Sequence, residues 1–514
     1  MASSPRVLVI GAGIGGLTTA ALLAESGCEV TVLEAGAYPG GSAGTFYRNG
    51  YRLDAGATLA GGFQPGGPHA LVGDRLGIDW PVHSVDHAWM VHLPDRHVRL
   101  AHNNADVLRQ FPGTEPFWNE QIRIADLGWQ MAAHALPWPP ADLSELALLT
   151  RIGAAHLPDF IHLLPLAFSN VQDRLRRYGL AQNEEFVRFL DALLLISAQI
   201  TSAYANVLYS ATALDLPRQG VCHVRGGIGS LAQTLADKIE ALGGRVLYKH
   251  RVTGIDVQNG RVARVRVLTT SRAETVFACD FAVANLTPWS LDELLDEASP
   301  ARLRREAQQR DLGWGAFVLY LGVQADRLPP DFSDSHQMIT TPRGPLGEGR
   351  SVFMSLSPRW DTTRAPAGFR AATVTTHTAV QLWWDLMARD PAAYEARKAE
   401  YTERMLATIE QVIPGFCSGL SVVISGTPVT YHTWTHRHMC MVGGFPQSSI
   451  FKARSPRTGL PNLRLVGDSI FPGQSTTGVT AGAMRVAADV RRSLPRHAAR
   501  KVFVSPLSKP SSVD

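Results

Sequence analysis

The chain has 514 residues and a formal net charge of +4 at pH 7, with 45% apolar and 18% charged residues. This composition is typical of a large globular protein with more than one packed core and excludes extended disorder. Nucleic acid is a poor candidate partner, because basic residues cluster only near the C-terminus, in Arg491, Arg492, Arg496, Arg500 and Lys501.

The N-terminal segment predicts a compact βαβ unit. An apolar strand over Arg6–Ile10 leads through a glycine turn into a helix over Gly15–Ser26, and a second strand follows over Glu29–Leu33. From Thr45 to Val98, short strand-like runs alternate with Gly and Pro turns. We therefore expect a parallel sheet that begins here and is continued by later segments.

The region between Glu115 and Tyr209 changes to long helical patterns, such as Asn183–Ile200, and predicts a helical insertion. Its apolar residues recur at spacings of three and four and are expected to pack in a core: Phe186, Phe189, Leu190, Leu193 and Leu194. The stretch from Ile152 to Gln172 contains Asp159, two histidines and two prolines, so it is a poor candidate for a membrane-spanning helix.

Sheet character resumes after residue 226. We predict a helix (Gly229–Leu242), a strand (Arg245–Tyr248), a hairpin that turns at Asn259 and Gly260, and a strand (Phe281–Ala284). Further predicted elements are the strands Ala316–Gly322, Ser351–Leu356 and Arg370–Thr376, the helix Pro391–Val412 and a final strand and helix within Leu463–Val490.

These patterns divide the chain into four predicted parts. They are a discontinuous dinucleotide-binding domain (1–105, 215–300 and 455–495), a helical cap (106–214), a sheet-based substrate domain (301–454) and a flexible polar tail (496–514).

The cysteines favour a reducing, cytoplasmic setting. They are odd in number, far apart and without a Cys-x-x-Cys pair: Cys28, Cys222, Cys279, Cys417 and Cys440. Because the first predicted strand begins almost at once, at Val7, we expect no secretory signal.

The first glycine turn carries the dinucleotide fingerprint. Gly11 permits the tight turn, Gly13 lets the backbone approach a pyrophosphate, and Gly16 lets helix and strand pack closely. Gly15 lies between them, at the helix N-terminus, where free N–H groups bind phosphate. Glu34 ends the second strand, in the position of a carboxylate that takes ribose hydroxyls.

Two later segments favour FAD over NAD. The pair Gly40 and Gly41 would let backbone pass close to a bulky cofactor. Far downstream, Gly467 and Asp468 end a strand, and Gly478 and Val479 lead into a helix predicted over Thr480–Val490. A carboxylate and a helix N-terminus there would hold the ribityl chain, the pyrophosphate and the flavin edge.

Taken together, the N-terminal run to Gly41, the segment from Arg225 to Val252 and the run Gly467–Gln474 resemble the carotenoid desaturase and carotenoid isomerase family of FAD-dependent oxidoreductases. The resemblance covers about residues 6–495. It implies an α/β (α+β overall) fold with a Rossmann-type FAD-binding domain of the amine-oxidase and phytoene-desaturase kind, a sheet-based substrate domain and a helical cap.

The resemblance also implies which residues contact FAD. Beyond the glycines and Glu34 already named, they are Gly56, Ala57, Val252, Gly467, Asp468, Gly478 and Val479. The chain departs from the family in one respect: Ala35, Gly36 and Ala37 follow Glu34, and Ser42 follows the glycine pair, where relatives often carry basic residues.

Within the family, the run from Asp54 to His69 is most similar to bacterial carotenoid 3,4-desaturases of the C-3′,4′ type, which act on 1′-hydroxylated acyclic ends. This similarity implies hydride transfer to flavin N5, with oxygen or a quinone as the final acceptor. It also implies a cap whose apolar edge, from Phe160 to Phe168, lies on the inner face of the cell membrane and collects a polyene.

No catalytic base can be chosen from the sequence. Six histidines are candidates only because histidine titrates near neutral pH: His69, His223, His377, His432, His436 and His438. Alternation over His432–His438 on a strand would place three rings on one face, but no carboxylate or thiolate stands nearby to complete a metal site. We therefore expect a polar strand near the pocket and no metal.

Three other functions stay open. Cis–trans isomerisation of a carotenoid would use reduced flavin without net redox change, and other carotenoid desaturases or ketolases share these motifs. A soluble amine oxidase would carry an aromatic cage near the flavin and release peroxide. A flavin-stabilised binding protein would retain FAD without turnover.

Overall fold

The computed structural model describes residues 4–133, 136–155, 161, 163–310 and 312–494. The predicted tail at 496–514 lies outside the described residues. The strands are β1 (Arg6–Ile10), β2 (Glu29–Leu33), β3 (Thr45–Arg48), β4 (Tyr51–Asp54), β5 (Ala60–Gly61), β6 (Val82–Ser84), β7 (His87–Leu93), β8 (Arg96–Ala101), β9 (Val221–Val224), β10 (Arg245–Leu247), β11 (His250–Gln258), β12 (Arg261–Thr269), β13 (Glu274–Ala278), β14 (Phe281–Ala284), β15 (Trp314–Gln324), β16 (Ser335–Ile339), β17 (Ser351–Leu356), β18 (Phe369–Ala379), β19 (Leu420–Gly426) and β20 (Leu463–Leu465).

The α-helices described are α1 (Ile14–Glu25), α2 (Pro68–Leu76), α3 (Ala105–Gln110), α4 (Glu115–Ala133), α5 (Leu143–Ala155), α6 (Val171–Arg177), α7 (Glu184–Ala198), α8 (Val207–Gln219), α9 (Gly229–Ala241), α10 (Pro288–Leu295), α11 (Ala301–Gln309), α12 (Val380–Arg389), α13 (Pro391–Val412), α14 (Pro428–Thr435) and α15 (Ser475–Ser493). No helix among the described residues is long and apolar enough to cross a membrane.

A five-stranded parallel sheet gathers the three separated N-terminal, middle and C-terminal segments. Its strand order is β10-β2-β1-β14-β20. In β1 the run Val7–Ile10 is buried, as expected for a parallel strand covered on both faces. Helices α1, α9 and α15 pack together beside it. The predicted strands over β1, β2 and β14 are confirmed.

The last helix begins earlier than predicted. It starts at Ser475 instead of Thr480, because the Ser475 hydroxyl accepts a hydrogen bond from the N–H of Gly478 (3.0 Å) and closes the first turn. Gly478 and Val479 therefore lie within the N-terminal turns of α15. This correction brings them onto the helix that was expected to follow them.

A second sheet of seven strands has the order β19-β15-β18-β17-β16-β7-β8. The strands predicted within β15, β17 and β18 are confirmed, as is the helix α13. The sheet also contains β7 and β8, which the sequence analysis counted with the dinucleotide-binding domain. They join it through parallel pairing of Met90 with His336, a contact between residues far apart in the sequence.

The cap is helical, and its apolar stripe is buried. Phe186, Phe189, Leu190 and Leu194 of α7 have no exposed surface. The helix begins one residue after its N-cap, Asn183, and ends before Gln199, which takes a left-handed conformation.

The cap is tied to α15 by a buried ion pair between Arg485 and Glu145, 2.8 Å apart and each with 3% of its side chain exposed. Arg485 also donates to the carbonyl groups of Trp138 and Pro139.

Candidate flavin site and apolar cavity

The first glycine turn lies where β1 passes into α1. Gly11 has φ +93°, a conformation that favours glycine. A Cβ on Gly16 would lie 2.3 Å from the carbonyl oxygen of Gly11. Helix and strand can therefore approach this closely only because position 16 has no side chain.

Asn285, which follows β14, packs against this turn and was missed in the sequence analysis. Its N–H donates to the carbonyl of Ile10 (2.8 Å). Its side chain would meet a Cβ on Gly13 at 2.5 Å and one on Gly467 at 2.8 Å. One polar residue thus fits against both the N-terminal and the C-terminal glycine turns. Its position directly after a buried strand is the signal that could have found it.

Glu34 follows β2 and points back at the glycine turn. Its carboxylate accepts hydrogen bonds from the N–H groups of Ala12 and Gly36, each 2.7 Å long. Burial raises the pKa of Glu34. The Glu34 carbonyl accepts from His250 (2.8 Å), which brings the β11 residue Val252 to the same end of the site. Glu34 is thereby held at the cavity wall, and its contact with ribose hydroxyls stays a prediction.

The second glycine pair lies directly against the first turn. The N–H of Gly40 donates to the carbonyl of Ala12 (2.8 Å), and Gly40 forms an isolated parallel bridge with Gly13. Gly40 has φ +115°, and a Cβ there would lie 2.7 Å from the Ala43 carbonyl oxygen. The backbone of Gly41 is left open on the side that faces Gly13.

The loop after β4 continues this surface. The N–H of Ala57 donates to the carbonyl of Ser42 (3.0 Å), and a Cβ on Gly56 would lie 3.0 Å from the same oxygen. Backbone, with no side chain between, therefore borders the cavity at Gly56.

At the C-terminal end, Gly467 has φ +109° and its Cα would lie 3.2 Å from a Cβ on Gly15. Asp468 comes next and forms an ion pair with Arg437 (2.9 Å). Gly478 fits closely as well, because a Cβ there would lie 2.7 Å from the Gly473 carbonyl oxygen.

The predicted cofactor residues meet around one cavity of about 1390 Å³. Those that line it are Gly11, Gly13, Gly15, Glu34, Gly40, Gly41, Gly56, Ala57, Val252, Gly467, Asp468, Gly478 and Val479. Gly16 does not line it and acts through helix packing instead. The positions where a Cβ would fill the wall, together with the α1 and α15 N-termini, fit an extended dinucleotide with a flavin. Their direct contact with the cofactor stays a prediction.

The same cavity continues beyond the glycines into an apolar space. Cap and second-sheet side chains line it, among them Trp89, Trp129, Met131, Leu208, Leu216 and Phe353. It reaches Leu164 and Phe451, whose side chains are exposed by 64% and 55%.

We call Ile161, Leu164, Phe168 and Phe451 the mouth patch. The rings of Phe168 and Phe451 lie 5.0 Å apart, and all four residues are exposed. Ile161, Leu164 and Phe168 of the predicted apolar edge are therefore exposed, while Phe160 and His162 lie outside the described residues.

Two tyrosines meet the loop after β4 and were missed by sequence reasoning. The hydroxyl groups of Tyr320 and Tyr431 each lie 2.6 Å from the carbonyl oxygen of Ala55 and 2.5 Å from each other. Burial raises the pKa of both phenols, so they stay protonated and donate at neutral pH. They fix the backbone just before Gly56.

Of the six candidate histidines, only His377 and His436 line the cavity. Desolvation lowers the pKa of His377 to about 4, so it is neutral at pH 7. His69 is fully buried, away from the cavity lining. His223 pairs with Asp334 and His438 with Glu293, each at 2.9 Å.

The strand predicted over His432–His438 is wrong. Pro428–Thr435 forms α14, started by a capping box between Thr427 and Thr430. His432 and His436 therefore do not alternate on a sheet face. No cluster of three or more possible metal ligands occurs in the part of the chain that the structure describes.

Comparison with known proteins defines the class. The family described as flavin containing amine oxidoreductase matches residues 14–491, and the chain belongs to this family. Its cofactor is FAD.

Several relatives and structures are similar over nearly the whole chain. Prolycopene isomerase of Daucus carota is 27% identical over 94% of this chain and 80% of that protein. The neurosporene-forming phytoene desaturase of Cereibacter sphaeroides is 26% identical over 96% and 95%.

Among solved structures, an oxidoreductase from Methanosarcina mazei has a TM-score of 0.65 at 18% identity, covering 94% of this chain and 100% of that one. Cyclohexylamine oxidase from Brevibacterium oxydans has 0.60 at 16%, covering 95% and 99%. These structures share the fold. The curated relatives make the chain a flavin oxidoreductase of the carotenoid desaturase and isomerase type.

Proposed function

We propose that the protein desaturates an acyclic carotenoid at C-3′,4′ of a 1′-hydroxylated end. The observation that carries the proposal is the continuous cavity of about 1390 Å³, which joins the glycine-lined flavin site to an apolar space and an exposed apolar mouth. A rigid polyene needs such a space, whereas a small amine does not.

FAD, when bound, supplies the hydride acceptor, and its reoxidation would use oxygen or a quinone. The residues of the chain bind the cofactor and orient the substrate. Backbone at Gly13, Gly41 and Gly56 would hold the cofactor, and the tyrosine pair at Ala55 keeps that loop in place. The apolar cap side chains exclude water and align the polyene end.

Few polar groups are available to move a proton on the apolar side. His377 lines the cavity and is neutral at pH 7, but its pKa of about 4 makes it a weak base, so we assign it no proton transfer. His436 also lines the cavity, but its side chain is exposed.

The reaction is tested by expressing the protein in a bacterium that has no pigments of its own and is engineered to make 1-hydroxylated acyclic carotenoids. A product lighter by two hydrogens with a red-shifted spectrum supports desaturation. A Gly11→Val variant, in which the tight turn is blocked, is the matched negative control. Unchanged pigment with flavin-loaded protein would contradict the proposal.

Carotenoid cis–trans isomerisation is the second candidate, favoured by the 27% identity with prolycopene isomerase over 94% of the chain. The same extract separates the two reactions, since isomerisation changes retention without changing mass. Conversion of a supplied cis polyene to its trans isomer under anaerobic, reducing conditions would support isomerisation.

We further propose that the mouth patch rests on the inner face of the cell membrane and takes the substrate from it. Flotation with anionic liposomes tests this directly. The double variant Phe168→Glu with Phe451→Glu should reduce the floated fraction by about tenfold, because charged side chains resist burial in lipid. Val276→Glu, at a 55% exposed site of β13 outside the cavity lining, is the control. Equal flotation of all three proteins would contradict the membrane proposal.

A further inference from the structure

The flavin site has an excess of negative charge once its cofactor is bound. The diphosphate of FAD carries two negative charges, and the same cavity is lined by the carboxylates of Glu34 and Asp468. The N-termini of α1 and α15 together offset only about one charge. The residues after Glu34 and after Gly41 that could have helped are Ala35, Gly36, Ala37 and Ser42. Charge balance therefore favours a cationic side chain from another part of the cavity wall.

Four arginines line the cavity, and three are poorly suited to this role. Arg485 is taken up by Glu145 and two carbonyl groups. Arg48 and Arg251 have exposed side chains, where water screens their charge. Arg437 differs, because its side chain is only 19% exposed and is already held beside the site.

The position of Arg437 suits a diphosphate. Its Nη2 lies 2.9 Å from a carboxylate oxygen of Asp468. Asp468 directly follows Gly467, whose Cα lies 3.2 Å from the place of a Gly15 Cβ, at the first turn of α1. Arg437 is thus linked through Asp468 to Gly467, the glycine that lies against the first turn of α1, and it lines the same cavity.

Arg437 also has a donor to spare. Its Nε is buried and has no hydrogen-bond partner among the described residues. A guanidinium can bind a carboxylate along one edge and a phosphate along another. The backbone is held on both sides, by the contact between its carbonyl and His432 Nδ1 (2.8 Å) and by the hydrogen bond from His438 N–H to Ser290 Oγ (3.3 Å).

We propose that Arg437 binds the diphosphate of FAD while it stays paired with Asp468. It takes the place of a basic residue after the second glycine pair and supplies that charge from the turn after α14. This proposal rests on the cofactor and not on the identity of the substrate.

The proposal is tested by adding flavin to the deflavinated full-length protein. Quenching of flavin fluorescence measures the affinity. Arg437→Met should weaken FAD binding by about 10- to 100-fold, the range expected for a charge-assisted hydrogen bond. Riboflavin has no phosphate, so its affinity should stay within about twofold. Arg437→Lys should recover part of the loss, because it keeps the charge and loses the second edge. The salt dependence of FAD affinity should be shallower in Arg437→Met.

Arg174→Met is the matched control. Arg174 forms an ion pair with Glu120 and has 11% of its side chain exposed, but it does not line the cavity. Its loss should leave the affinities of both flavins unchanged. Equal weakening of FAD and riboflavin in Arg437→Met, or no weakening of FAD, would overturn the proposal.

If Arg437→Met does not fold, inorganic diphosphate provides a second test on Arg437→Lys. Diphosphate should raise the unfolding temperature of the deflavinated wild type, and by less than half as much in the lysine variant. The same rise in both proteins would overturn the proposal.

Discussion

The two ends of the cavity are built in different ways. At the flavin end, the wall is mostly backbone, and its shape depends on glycines such as Gly13 and Gly40 whose Cβ positions are already filled by neighbours. At the apolar end, the wall consists of side chains from the cap and the second sheet. Backbone walls tolerate almost no substitution, while apolar walls tolerate exchanges that conserve volume. The flavin end is therefore the part of the cavity that can be predicted from short sequence motifs.

Gly16→Ala should have the largest effect and would sharpen this contrast. The new Cβ would lie 2.3 Å from the Gly11 carbonyl oxygen, so the helix must move away from the strand. We expect a loss of about 4 kcal/mol of stability and no FAD after gel filtration. Gly113→Ala, at a glycine with φ +82° and open space around it, should cost only about 1 kcal/mol and keep FAD. Retained FAD in Gly16→Ala would break the contrast.

Glu145→Ala tests how firmly the cap is held. It removes one partner of a buried ion pair and leaves the Arg485 guanidinium with carbonyl groups alone. Urea unfolding should show a loss of about 3 kcal/mol. The double variant Glu145→Ala with Arg485→Met should recover part of it, because no buried charge is then unpaired. A loss below about 1 kcal/mol would mean that packing alone holds the cap.

Tyr431→Phe should have a smaller effect. Tyr320 still donates to the Ala55 carbonyl, so the loop keeps one of its two hydrogen bonds. We expect a cost of about 1 kcal/mol in thermal unfolding, and at least twice that when Tyr320→Phe is added. If neither the single nor the double variant lost stability, the tyrosine hydroxyl groups would not hold the loop, and the rings would only fill space.

His69→Phe should change the response to acid more than the stability at neutral pH. Both ring nitrogens are buried without partners among the described residues, and burial lowers the pKa of His69 to about 3. This pKa is below the value in the unfolded chain, so the folded protein keeps the contribution of the neutral ring above pH 6.5. The free energy of unfolding then decreases as pH falls from 6.5 towards 3.

The measurement is the free energy of unfolding at pH 7.5 and pH 5.5. The drop between the two should be about 1.4 kcal/mol smaller in the phenylalanine variant. The aromatic stack with Phe63, with centroids 4.7 Å apart, should be kept. An unchanged drop would mean that His69 does not resist protonation.

The sequence predicted the parallel sheet and the glycine turns well, because strand, turn and helix signals lie next to one another from Arg6 to Leu33. It failed where a local pattern had two meanings. The alternation over His432–His438 suggested a strand, although Thr427 and Pro428 are ordinary signals for the start of a helix.

Contacts between distant residues were out of reach. Asn285 touches Gly13 and Gly467, and Arg437 pairs with Asp468, but no local pattern connects these positions. The joining of β7 to β16 is of the same kind. Such pairings depend on the assembled sheets. The division of the chain into domains, and the cofactor contacts of the named residues, stay predictions.

The glycine-lined end and the apolar end belong to one cavity, so a polyene bound at the proposed apolar site would contact the flavin. The binding free energies of the two ligands would then be linked. If contact with the flavin tightens polyene binding, the bound polyene tightens FAD binding by the same factor. Occupancy of the apolar end by a detergent or lipid would act in the same way, with either sign. The flavin content of a purified sample would then report on what fills the other end of the cavity.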